Sequence, residues 1–181
     1  ALLTLIRSKK YFVPLSLETY RVIGEMEEFL GESMNLRHVG VLHVAGSEDR
    51  VNDLDELIKV AAEFKQHAEI ISAGEATRMS PWLKADEATR IGFMAGEAYC
   101  DPYLLGTFYA RCAKKLGAEI RQGIEVTDLI MRGDTAEGVV TSKGNIYADV
   151  VILANGAWAP VLASRAKVSL PMAPVRSQYW I

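Results

Sequence analysis

The chain holds 181 residues, half of them hydrophobic, a composition that supports one well-buried domain or two small ones and argues against disorder. Its 20 basic and 23 acidic residues leave a formal charge of -3, so neither nucleic acid nor an anionic membrane is an expected partner. No apolar run approaches the roughly 20 residues that span a bilayer, and Arg7, Lys9 and Lys10 follow the opening apolar stretch, the reverse of a signal peptide. Cys100 and Cys112 have the spacing of neither a redox pair nor a zinc knuckle, which makes a reducing cytoplasm the expected compartment. His38, His43 and His67 are scattered along the chain and read as core or surface residues, so no metal is expected.

The first thirty residues read as helix interrupted at Pro14, with a second segment from Ser16 that carries Leu17, Tyr20, Ile23 and Leu30 on one side and stops at Gly31. "LRHVGVLHVA", 36 to 45, reads as one strand whose Gly40 marks either the close approach of another group or a bulge. Helical periodicity returns from Asn52 to His67, with Asp53, Asp55 and Glu56 in the first turn facing the positive end of the helix dipole. Ser72 and Glu75 have capping-box spacing, and their short helix should end before Pro81. "IGFMAG", 91 to 96, reads as a short strand.

From residue 101 the signals sharpen. Asp101 is a good N-cap and Pro102 suits the first helical position, while Leu105, Phe108, Tyr109, Cys112 and Leu116 form an apolar stripe that Gly117 terminates. "AEIRQ" reads as a strand, followed by an antiparallel meander of "EVTDLIMR", "EGVVTS" and "IYAD" with turns at Gly133 and Asp134 and at Lys143 and Gly144. "VVILA", 150 to 154, is apolar on both faces, as a central parallel strand is. Ala157 to Ala166 look helical, and "APVRSQYWI" closes the chain as a further strand.

The turn after "VVILA" raises the functional question, because Ala154, Asn155, Gly156 and Ala157 are all small and Trp158 follows at once. Small residues there admit either a nucleotide close to the backbone or a tightly packed helix. The order helix, strand, meander, buried strand, small-residue turn, helix is that of the latter half of a dinucleotide-binding domain. The glycine fingerprint G-x-G-x-x-G is absent, since none of the 14 glycines has another two residues away, and no G-K-[ST] phosphate loop occurs.

Four stretches taken together, "HVGVLHVA", "YCDPYLLGTFYARCAKKLGAEIRQGIEVTDL", "GVVTSKGNIYADVVILANGAWAPVL" and "LPMAPVRSQYW", resemble in order and spacing the middle of the D-amino-acid oxidase family of FAD-dependent oxidoreductases. That group holds sarcosine oxidase, glycine oxidase and dimethylglycine dehydrogenase. The resemblance implies an α+β or α/β fold, with part of a glutathione-reductase-like FAD-binding domain and part of a mixed-sheet substrate domain. It implies boundaries of 1–98 for the substrate-binding part with its flanking helices, 99–166 for the latter part of the FAD-binding domain, and 167–181 for a return strand of the substrate domain.

It also implies that Ala154, Asn155, Gly156, Ala157 and Trp158 pass beside the ribityl and pyrophosphate portion of FAD, and that the backbone of Val126 contacts the adenine. On its own residues, Val126 reads as an ordinary strand-core valine, and Trp158 as a wall of the cofactor pocket or an anchor for the helix start. Asn155 departs from the small apolar residue more common in the family. Arg176 and Tyr179 could meet a substrate carboxylate and hydroxyl, but the family places this strand in the sheet over the flavin, with Gly40 and His43 in the same sheet and no catalytic role assigned.

In the family, a substrate carbon beside an amine gives hydride to the flavin and water hydrolyses the resulting imine, so the cofactor carries the chemistry. No triad, carboxylate pair or metal cluster is therefore required of this chain, and none is apparent. The chain is expected to be a central piece of such an enzyme, acting on a small-molecule amine or amino acid, and colourless by itself. Edges at 149–154 and 173–181 would favour homo-oligomers. A non-catalytic assembly module, or an unrelated enzyme using the cleft near residue 156, are the alternatives.

Overall fold

The computed structural model describes residues 1–176 and divides into two compact units, Ala1–Glu119 and a second beginning at Ile120. In the first unit, strand β1 (Leu2–Leu3) precedes helix α1 (Val13–Leu30). Pro14 does not interrupt this helix: it sits in the first turn, where its missing N–H would have had no partner. Gly31 ends α1 at φ 70°, its N–H donating to the Glu27 and Glu28 carbonyls.

Two strands replace the single one expected over 36–45. Strand β2 (Arg37–His38) and strand β3 (Val41–Ala45) belong to different sheets, and the chain turns between them at Gly40, φ 70°. A Cβ on Gly40 would lie 2.3 Å from Phe93 Cε2 and 3.0 Å from the Met94 carbonyl oxygen, so the glycine marks a close approach and a turn.

Helix α2 (Glu48–Glu63) starts four residues before the expected Asn52 because the Ser47 hydroxyl caps it, accepting the Arg50 N–H at 3.4 Å. Glu48 and Asp49, not Asp53, Asp55 and Glu56, thus occupy its first turn. Asp55 instead takes the Arg90 guanidinium at 2.5 and 2.6 Å. Strand β4 (Ala68–Ile71) follows, and the Ser72/Glu75 capping box then opens helix α3 (Ala73–Met79) as expected.

Strand β5 (Arg90–Met94) lies between β3 and β4, antiparallel to both. Strand β6 (Ala98–Tyr99) lies likewise between β1 and β2. Between β5 and β6, Glu97 is only 2% exposed and accepts the Ile6 N–H at 3.1 Å. Burial raises its pKa against the lowering effect of the Ile6 and Leu5 amides. Nearby Tyr20 donates to the Leu3 carbonyl at 2.6 Å and is pushed up to about 12, mainly by burial.

Asp101 caps helix α4 (Pro102–Lys115), accepting the Tyr103 N–H at 2.7 Å. Phe108 and Cys112 bury with Ile23, Met26 and Met34. Tyr109 and Leu116 leave the expected stripe for solvent: one step along a helix turns a side chain by 100°, and Leu116 lies past the last turn.

The second unit is the expected meander: strands β7 (Val126–Arg132), β8 (Thr135–Thr141) and β9 (Gly144–Tyr147), antiparallel in chain order. A 3₁₀ turn, Gly156–Trp158, leads into helix α5 (Ala159–Arg165), which packs on β7 and buries Ala159 and Ala163.

The segments 118–122 and 150–154 are not strands, contrary to the sequence reading. A strand exists only through its ladder, and no described strand pairs with either segment. Residues 150–154 still alternate as a strand would, with Val151 and Leu153 half-buried and Val150 and Ile152 exposed. The last expected strand is irregular and exposed as far as Arg176, and its remainder, with Tyr179, lies outside the described residues. Among the described residues no helix is long and apolar enough to cross a membrane, and no cluster of three or more His, Cys, Asp or Glu could hold a metal.

Candidate functional site

The small-residue turn faces an open cleft of about 710 Å³ in the second unit. One wall is Glu125 and the start of β7, Val126 and Thr127, where the register with β8 shifts between Val126 and Asp128. That irregularity leaves Val126 42% exposed, so it is not a core valine. Residues 151–155 form the floor, and Val139 of β8 with Trp158, Val161, Leu162 and Arg165 of the helical segment complete the lining.

Val126, Ala154, Asn155 and Trp158 therefore border one space, while Gly156 and Ala157 form the turn without lining it. All of residues 154–158 are exposed. A Cβ on Gly156 would meet nothing within 4 Å, so crowding does not explain this glycine. Its left-handed φ of 54° does, because that conformation swings the chain from the floor into α5. Trp158 is 73% exposed, which rules out a buried anchor for the helix start. Its backbone N–H donates to the Asn155 carbonyl at 3.1 Å and closes the turn, leaving the indole at the cleft.

The lining is mainly apolar, with one anion, Glu125, and one cation, Arg165. It holds no Ser, Cys or His that could serve as a nucleophile or general base. What it offers is apolar surface for a flat heterocycle, small residues beside an exposed backbone, and a charge, within the size range of ligand clefts. These residues fit the nucleotide part of a dinucleotide. The glycine-rich amides that would grip a pyrophosphate are not in this sequence.

The first unit holds the other residues singled out from sequence. His43, on β3, borders a cleft of about 430 Å³ with Ser8, Arg50 and Asp53. Its Nε2 is buried with no hydrogen-bond partner among the described residues, and burial holds its pKa below the usual histidine value. Arg50 is engaged by Asp53 at 3.0 Å. Cys100 and Cys112 are both buried and unbridged. Arg176 is exposed and lines neither the His43 cleft nor that of the second unit. Sequence reasoning missed Arg165, although it follows Trp158 and Leu162 at the spacing that puts all three on one helical face.

An α+β chain that carries a meander, a small-residue turn into a helix and an open apolar cleft beside that turn has the element order of the latter half of a dinucleotide-binding domain. Residues 2–181 match the DAO family, "FAD dependent oxidoreductase", and the chain belongs to it. The family is FAD-dependent. The chain is 28% identical over 171 residues to glycine oxidase of Geobacillus kaustophilus, covering 92% of this chain and 45% of that one. It is 24% identical over 162 residues to human mitochondrial dimethylglycine dehydrogenase, covering 90% and 19%. Its fold matches the crystal structure of L-proline dehydrogenase from P. horikoshii with a TM-score of 0.82 at 22% identity, over 91% of this chain and 44% of that one. The chain thus spans less than half the length of each.

Proposed function

We propose that this chain forms part of an FAD-dependent oxidoreductase acting on a small amine or amino acid of the sarcosine, glycine or dimethylglycine type. The observation that carries the reading is the open cleft onto which Val126, Ala154, Asn155 and Trp158 converge. Its relatives' names, glycine oxidase and dimethylglycine dehydrogenase, support the substrate class. The bound flavin would supply the redox chemistry, taking hydride from the carbon beside the substrate amine. Val126 would meet the adenine through its backbone, Trp158 would offer apolar surface, and Ala154, Asn155, Gly156 and Ala157 would keep side-chain bulk away from the cofactor. Residues 1–98 and 167–181 would serve the substrate domain and 99–166 the FAD-binding domain, in a cytoplasmic setting consistent with the two unbridged cysteines.

The 181 residues alone would not retain flavin, because they lack the glycine-rich amides that fix a pyrophosphate. The coding sequence upstream of Ala1 tests the reading. A strand followed by G-x-G-x-x-G, in a product that is yellow and reduces a dye with small amines or amino acids, supports it. A product that binds no flavin refutes it.

A second reading, a non-catalytic assembly module, draws on the exposed Val150 and Ile152, whose backbone pairs with no described strand. An unpaired extended segment with apolar side chains favours homo-oligomers. Light scattering of the purified chain should therefore show a mass that grows with concentration, and a constant monomer mass would count against self-association.

A further inference from the structure

We propose that Arg165 is a phosphate-binding residue of the second unit's cleft, an inference that rests on the flavin reading of that cleft. Trp158, Leu162 and Arg165 all line it, and their i, i+4, i+7 spacing stacks them along one face of the α5 segment. This face presents an aromatic ring, an aliphatic side chain and a guanidinium in succession.

A ligand matched to that sequence of surfaces carries a flat ring and, beside it, an anion. A nucleotide has both. A substrate amine or amino acid has no extended ring to use the Trp158 and Val126 surface. Arg165 is the cleft's one cation, is exposed, and forms no ion pair with any described residue. Glu125, the one anion of the lining, leaves Arg165 as the group that can favour a phosphate there. The planar fork of the guanidinium donates N–H bonds to two phosphate oxygens at once, which a lysine ammonium cannot copy.

The ordinary alternative is a helix-dipole role, since Arg165 lies in the last turn of α5. A dipole partner would stabilise the helix and leave ligand preference untouched, so the two roles separate by experiment. The ¹⁵N-labelled chain is titrated with adenosine and with ADP at low salt, following the amides of Val126, Asn155 and Trp158.

The expected result is that both probes move these amides and that ADP binds more tightly. The ADP advantage should fall about three- to fivefold in Arg165→Gln, the scale of one exposed charge pair, and be partly restored in Arg165→Lys. Equal ADP-to-adenosine ratios in wild type and Arg165→Gln would overturn the role of Arg165 while leaving the nucleotide cleft standing. If neither probe moves the amides at millimolar concentration, the cleft reading fails and Arg165 with it. Unchanged chemical shifts away from α5 verify that the substitution leaves the fold intact.

Discussion

Replacing Gly40 with alanine tests how the first unit turns from one sheet into the other. Two costs add at this position. The backbone stands at φ 70°, and holding an L-residue there costs about 1–2 kcal/mol. The new Cβ would also lie 2.3 and 2.4 Å from Phe93 Cε2 and Cζ, and 3.0 Å from the Met94 carbonyl oxygen. The Phe93 ring is half-buried and can give way, but the carbonyl belongs to β5 and cannot, so overpacking adds roughly 1–2 kcal/mol. The total expected loss is about 2–4 kcal/mol.

Gly31→Ala supplies the control, because Gly31 has the same φ of 70° and nothing within 4 Å of its absent Cβ. Urea unfolding followed by circular dichroism should show both variants with lowered midpoints at unchanged slope, and Gly40→Ala with the larger loss. Equal losses would show that Phe93 and Met94 do not crowd this turn, and the close-approach account of the split strand would be refuted.

Two titrations give opposite slopes. Burial holds the folded-state pKa of Glu97 above the ordinary carboxyl value of 4.5, so the folded state holds the proton more tightly and stability falls as pH rises from about 4.5 through the raised value. Glu97→Gln keeps a carbonyl to accept the Ile6 N–H and should abolish that slope; an unchanged slope in acid-range unfolding curves would refute the assignment. Burial holds the folded-state pKa of His43 below the ordinary histidine value of 6.5, so the unfolded state holds the proton more tightly and stability rises with pH until about 6.5. His43→Leu should remove this rise at little cost, since Nε2 has no hydrogen-bond partner to lose. A loss of several kcal/mol at pH 7 would point to a partner for that nitrogen.

What could be read from the sequence was local. Asp101 with Pro102, Ser72 with Glu75, and the glycine turns of the meander each act within a few residues, and the elements they mark form where expected. What could not be read was set by distant partners. Gly40 breaks the strand because of Phe93, and 118–122 and 150–154 lack strand structure because strand identity resides in the neighbour. Strand β4 escaped notice because four residues between two helical signals carry too little pattern, and its pairing with β5 creates it. At the candidate site, the small residues were visible in sequence while their reasons were not. Gly156 serves the backbone turn, and only the fold brings Val126 and Arg165, far apart in sequence, to the same cleft.

Hydrogen exchange on the 181-residue chain with and without millimolar FAD tests the central claim most directly. Weak occupancy, lost on dialysis, should slow exchange at 125–127 and 154–158 and leave β9, which lines no part of the cleft, unchanged. Protection confined to other segments, or none at all, would mean that the cleft beside Ala154 does not receive the cofactor.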